Sequence, residues 1–273
     1  ENNYYYSEVK GRELYFVNEG LKVPKYGQVE LVEAETSFTA YQEFQSMLTR
    51  DRIDIFMVGE FDDYQVLQAL HRFPLEGRQV DLQFSYSQPY VNVVKEKIEP
   101  RQSSQSILQL GYQFPCQYGD KDYFALIVFN AMFGEFAHSA LFTTLREKEG
   151  LAYSISSQFD IFTGLLEVYA GIEKSNRNQA MRGISRELNY IKLGRFSSSL
   201  LNQTKKIIRM NALLSEDHAL TLVEQRFNKV IFGDKSLSLE NWLDEIEKVT
   251  KKDVCRVARQ VKLQSLFFLE GVS

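Results

Sequence analysis

The sequence predicts an α+β fold of two tandem αβ repeats, the first truncated on its N-terminal side, with mainly antiparallel sheets packed against helices. Three observations carry this expectation. Segments with apolar residues every three or four positions are interleaved with short apolar or alternating runs, the mark of mixed helix and strand. Residues 74–90 hold two prolines and Gly77 among polar and aromatic residues and read as a linker. A weak internal repeat relates Tyr26-Gly27 through Gly59 to Phe232-Gly233 through Gly271, each a turn, an acidic amphipathic helix and an apolar strand ending at glycine. A repeat of this kind is what two homologous domains would show if the first were truncated on its N-terminal side.

The elements follow in order. Pro24-Lys25-Tyr26-Gly27 is a turn, and Phe38, Tyr41, Phe44, Met47 and Leu48 give residues 37–49 one apolar helical face. Residues 53–59 read as a buried strand ending in glycine, and 62–71 as a helix capped by Asp62 or Asp63. Residues 91–98 and 106–114 alternate as strands, and 123–133 form an apolar helix. A short helix over 139–148 ends at Gly150, where positive φ suits a helix C-cap. Strands at 152–159 and 165–172 turn at Gly164; helices over 177–193, 199–214 and 217–231 break at Gly194 and Ser215, and 263–269 is a final strand.

With 273 residues, 44% hydrophobic and 25% charged, the chain can bury a full core. A net charge of -4 with both signs interspersed provides no basic field for phosphates, so nucleic acid is not an expected partner. Cys116 and Cys255 lack a Cys-x-x-Cys spacing and read as reduced residues, neither disulfide nor zinc ligands. No run approaches the ~20 apolar residues that span a bilayer, and the N-terminus lacks the regions of a signal peptide. A cytoplasmic protein without membrane contact is expected. The start at Glu1, followed by Tyr4-Tyr5-Tyr6, suggests a fragment or processed product.

The most informative run is Leu145-Arg146-Glu147-Lys148-Glu149-Gly150-Leu151-Ala152-Tyr153-Ser154. It sets Arg146 and Tyr153 on either side of a helix-to-strand junction. A guanidinium fork and a phenolic hydroxyl suit a carbonyl or a developing oxyanion. The competing structural reading pairs Arg146 with an acidic neighbour in its helix and leaves Tyr153 an ordinary half-buried strand residue.

This run, with Ala140-Leu141-Phe142 before it and Ser154-Ile155-Ser156-Ser157 after, resembles the C-terminal domain of insulinase-like (pitrilysin family) zinc peptidases. The family is built of tandem αβ repeats, and the resemblance, which covers most of the chain, implies that residues 1–85 are the C-terminal part of a first domain and 86–273 a complete second one. It implies that Arg146 and Tyr153 bind substrate peptide beside the scissile bond, while zinc belongs to a complementary domain or subunit. The segment Phe133-Gly134-Glu135-Phe136-Ala137-His138 departs from a more glycine-rich family pattern. Tyr41 through Gly59 looks similar to inactive bacterial homologues whose zinc motif has decayed. The resemblance thus implies a peptide-binding half of a zinc endopeptidase or, alternatively, an inactive scaffold or peptide-binding partner. Expected partners are a peptide, held partly by strand addition, and a homologous zinc-bearing domain or subunit; a homodimer is the other form of that association.

The zinc chemistry itself requires His-x-x-Glu-His, so that two imidazoles and a glutamate share one helical face. His71, His138 and His218 stand far apart and none lies in that motif, so no metal ligand, cofactor or catalytic residue is assigned within this chain. His71 reads as a helix-end residue, His138 as a cap or solvated residue beside Ser139, and His218 as decoration of a helix N-terminus. There is no Gly-x-Ser-x-Gly elbow, and no phosphate-binding glycine loop.

Overall fold

The computed structural model describes residues 2–73 and 86–272. In chain order the helices are α1 (Asn3–Tyr15), α2 (Val29–Ala34), α3 (Ser37–Arg50), α4 (Asp63–Leu70), α5 (Tyr123–Asn130), α6 (Arg177–Lys192), α7 (Ser198–Ser215), α8 (Ala219–Phe232), α9 (Leu239–Lys248) and α10 (Lys251–Gln260). Two stretches, Ala131–Glu135 and Phe142–Lys148, are wider π-helical turns. The strands are β1 (Lys95–Gln102), β2 (Ser106–Gln113), β3 (Ala152–Asp160), β4 (Leu165–Ile172) and β5 (Lys262–Val272).

By contacts the chain divides into a larger unit, Glu1–Val23 with Ser85–Leu213 and Lys235–Ser273, and a smaller one, Pro24–Phe84 with Leu214–Asp234. Within the larger unit, α1 docks on β2 and β5.

The larger unit is built on one sheet in the order β1-β5-β2-β4-β3. Only β1 and β5 run parallel; the other three pairings are antiparallel, as expected for a hairpin-rich α+β domain. Alternate residues of the central strands serve opposite faces. Leu108, Leu110, Leu266 and Phe268 join the main core with Phe129, Phe133 and Leu145 and with residues of α6 and α10. Ile107, Phe267 and Leu269 point the other way and are covered by Tyr6 and Leu14 of α1. Arg12 clamps this second layer in place, its Nε and Nη2 donating to the two oxygens of Glu167 at 3.1 and 2.8 Å.

Arg256 on α10 donates to Asp122 at the start of α5 through Nε (3.0 Å) and Nη2 (2.7 Å), and to Asp253 through Nη1 (2.6 Å). Burial alone would raise the Asp122 carboxyl, but donation from Arg256 and Gln260 outweighs it and holds the pKa below the usual range; Asp253 is lowered in the same sense. A depressed carboxyl stabilises the fold above its unfolded pKa and loses that contribution as pH falls through its folded pKa. Arg256→Met is therefore expected to cost about 1 kcal/mol at neutral pH, after allowance for the partial exposure of the guanidinium. The difference should close as pH falls through the lowered folded pKa of Asp122, which urea unfolding of both proteins across pH would measure.

The described residues of the smaller unit include α2, α3, α4 and α8, and none of these residues is buried. Thr36 caps α3 through a reciprocal pair with Thr39, and Asp62 caps α4 by accepting from the amides of Tyr64 and Gln65, as the capping pattern predicts. Residues 53–59 correct the sequence expectation: they form no strand, and Ile53, Ile55, Met57 and Val58 are exposed. An apolar run becomes a strand only beside another that takes its backbone groups, and no described residue of this unit lies in a sheet. The strand half of the internal repeat therefore fails, although its counterpart yields β5. The linker reading of 74–90 falls mostly outside the described residues.

Smaller corrections concern boundaries. The strand expected over 91–98 begins at Lys95, where the parallel ladder with β5 begins, and Val93 stays 71% exposed. The single acidic helix expected before β5 is two, α9 and α10, each starting at its own hydroxyl cap, Ser238 and Thr250. Among the described residues no helix is long and apolar enough to cross a membrane.

Candidate functional site: the Arg146 and Tyr153 junction

The site is built from the π-helix Phe142–Lys148 and the start of β3. Leu145 is fully buried, with its side chain against Gly183 of α6, and this fixes the helix on the core. The backbone then closes tightly: the amide of Glu149 donates to the carbonyl of Thr144 at 2.9 Å and that of Leu151 to Leu145 at 2.8 Å. Gly150 lies between them at φ +61°, a conformation that L side chains rarely adopt. This C-cap reverses the chain into β3, as the sequence predicts.

Arg146 is exposed, and its guanidinium carbon stacks 4.7 Å from the Phe142 ring centre. It makes no ion pair among the described residues, contrary to the intrahelical pairing of the structural alternative. Tyr153 is not half-buried either, but 57% exposed. Ala152 pairs with Ile172 and Ser154 with Gly171, so Tyr153 is the extra residue of a β-bulge, a device that re-aims one side chain out of the alternating pattern. Its hydroxyl donates to Oε1 of Glu173 at 2.6 Å. That bond, with smaller contributions from desolvation and the carboxylate charge, raises the phenol above its ordinary pKa and keeps it a donor. The structure thus sets Arg146 and Tyr153 at one junction but gives each its own partner.

Further along β3 lies a buried polar contact. Ser157 donates to Oδ1 of Asn130 at 2.7 Å, and Asn130 donates to Glu135 at 2.9 Å. Gly134 lies so close to Ser157 that a Cβ would fall 2.9 Å from its backbone nitrogen. The segment that departs from the glycine-rich family pattern thus keeps glycine where β3 makes its nearest approach.

His138 ends this segment, and its Nε2 shares a 2.8 Å hydrogen bond with Thr204 of α7, a tie between elements instead of a cap. Burial lowers its pKa and favours the neutral ring. His71 is the C-cap of α4 and His218 the N-cap position of α8, as expected for helix-end residues. Cys116 and Cys255 are both buried free thiols, and burial pushes the Cys116 thiol up to about 12. Among the described residues no group of three or more His, Cys, Asp or Glu is placed to hold a metal ion.

Sequence reasoning did not single out Glu173 or Phe142. Glu173 could have been found by counting back through the Gly164 turn, which sets it one residue beyond the strand position opposite Ala152. Phe142 carried the simpler signal, since it lies four residues before Arg146 in a helix.

The sheet, its helical cover and this junction define a class of fold. The chain belongs to the family described as "Peptidase M16 inactive domain", which matches residues 41–208. In particular, it is 35% identical over 246 residues to the "Probable inactive metalloprotease YmfF" of Bacillus subtilis (strain 168), covering 90% of this chain and 58% of that protein. It therefore spans less than two thirds of that relative's length. The crystal structure of a conserved protein from Enterococcus faecalis V583 superposes with a TM-score of 0.92 at 36% identity, over 98% of this chain and 63% of that one. The fold alone is shared with a peptidase M16 inactive domain from Pseudomonas fluorescens, at 15% identity and a TM-score of 0.73, over 98% of this chain and 66% of that one.

Proposed function

We propose that the chain is a non-catalytic member of the insulinase-like peptidase family that binds extended peptide at the edge of its sheet. The observation that carries this reading is the contrast between the two sheet edges. β1 is blunted by Lys95, Glu96, Lys97, Glu99 and Arg101 and interrupted by Pro100, the usual protection of an edge strand. β3, the opposite edge, is uncharged from Ala152 through Phe159 and, among the described residues, pairs only with β4 in the sheet. An extended peptide added there would satisfy its backbone with little demand on sequence. Arg146 and the bulged Tyr153 at its N-terminal end would hold a peptide carbonyl or carboxylate.

The family membership and the absence of His-x-x-Glu-His from these 273 residues support binding without hydrolysis. Binding of fluorescent peptides, measured by anisotropy, should weaken about tenfold or more in Arg146→Ala/Tyr153→Phe, and no peptide should be cleaved by this chain. Cleavage that survives a chelator would overturn the reading. The Arg and Tyr pair also favours a second reading, in which a homologous zinc-bearing domain or subunit completes an active site. Turnover that appears only on mixing with such a partner, and is abolished by the same double substitution, would select it.

A further inference from the structure

Tyr153 has one hydroxyl proton, and the structure assigns it to Glu173. To donate to a peptide carbonyl, the phenol must release that bond. The neighbourhood of Glu173 offers no replacement. Lys174 is paired with Glu270 at 2.7 Å, Arg177 with Glu96, and Arg146 is stacked on Phe142. Glu173 is thus an exposed carboxylate, with Tyr153 as its side-chain partner and no pairing cation among the described residues, beside the end of the open strand β3.

Glu173 follows β4, so a peptide on the free edge of β3 lies two strand spacings from this carboxylate, about 10 Å, which a Lys or Arg side chain passing over the bulge can reach. We infer that Glu173 is a specificity-determining residue that receives a cationic group of the peptide, an ammonium or guanidinium, and that this pairing frees the Tyr153 hydroxyl for the peptide backbone. The inference rests on the peptide-binding reading above and adds to it a substrate class: extended peptides with a positive charge at the position facing Glu173. No bond is made or broken; one hydrogen bond is exchanged for an ion pair and another hydrogen bond.

The test uses the full chain and blocked fluorescent peptides that differ only at the central residue, Lys, Gln or Glu, with one further Gln peptide carrying a free N-terminus. Affinities are measured by anisotropy at low ionic strength. The wild type is expected to bind the Lys peptide about fivefold more tightly than the Gln peptide, the scale of an exposed ion pair, and to lose this preference at high salt. Glu173→Gln, which keeps an acceptor for Tyr153, should equalise the Lys and Gln peptides. Tyr153→Phe should weaken all peptides but keep the charge preference. Tighter binding of the free-amine Gln peptide, lost in Glu173→Gln, would assign the site to a terminal ammonium and would equally support the inference. Equal binding of the blocked Lys, blocked Gln and free-amine Gln peptides by the wild type, or a preference that survives Glu173→Gln, overturns the Glu173 assignment alone. Failure of the wild type to bind any peptide overturns the peptide reading and this inference with it.

Discussion

Leu145→Ala is expected to lower the unfolding free energy of the larger unit by about 3–4 kcal/mol, read as a fall in the urea midpoint with little change in slope. Leu145 is fully buried, and its branched end meets the backbone of Gly183 in α6. Removing it costs the transfer energy of the lost methyl and methine groups and leaves a cavity that two packed helices cannot close. The carbonyl of the same residue accepts from Leu151 across the Gly150 reversal, so the loss reaches the junction that presents Arg146. Peptide affinity should therefore fall together with stability, whereas substitution of the exposed Arg146 should change affinity alone.

Gly134→Ala is expected to cost about 2 kcal/mol although it adds a single methyl group. The new carbon would lie 2.6 Å from Oγ, 2.9 Å from Cβ and 2.9 Å from the backbone nitrogen of Ser157. Rotation of the serine could relieve the first contact, at the expense of its hydrogen bond to Asn130. The contact with the backbone nitrogen remains, so the π-turn Ala131–Glu135 must move away from β3. Thermal unfolding would detect the loss. Added protection of β3 amides from hydrogen exchange in the variant would count against this account, which predicts faster exchange there.

Much of the larger unit was legible in the sequence because its signals are local. The β3–β4 hairpin follows from two apolar runs around Gly164, and the preceding reversal from Gly150; both glycines take positive φ. The Arg146 and Tyr153 positions were legible as a junction but not in their orientation. A π-turn and a β-bulge each depend on one residue more than the regular element, and hydrophobic periodicity over a few residues does not resolve so small a difference. α1 was not legible, since its apolar and charged residues form no single stripe; only the sheet face beneath it shows which side is buried. The run Ile53-Asp54-Ile55-Phe56-Met57-Val58 misled for the opposite reason. Its composition favours a strand, but strand formation is a property of a pair, and the described residues provide no mate.

The sheet order has a consequence for the sequence of assembly. β5 lies between β1 and β2, so Lys95 must wait for Ser265 before β1 has any ladder. The hairpin β3–β4 and its neighbour β2 involve only residues 106–172, and this half carries Arg146 and Tyr153. Closing short loops costs less entropy than closing long ones. On a growing chain, the β3 edge can therefore form as part of a three-stranded nucleus while the β1 edge stays unpaired until residues 262–272 have been synthesised.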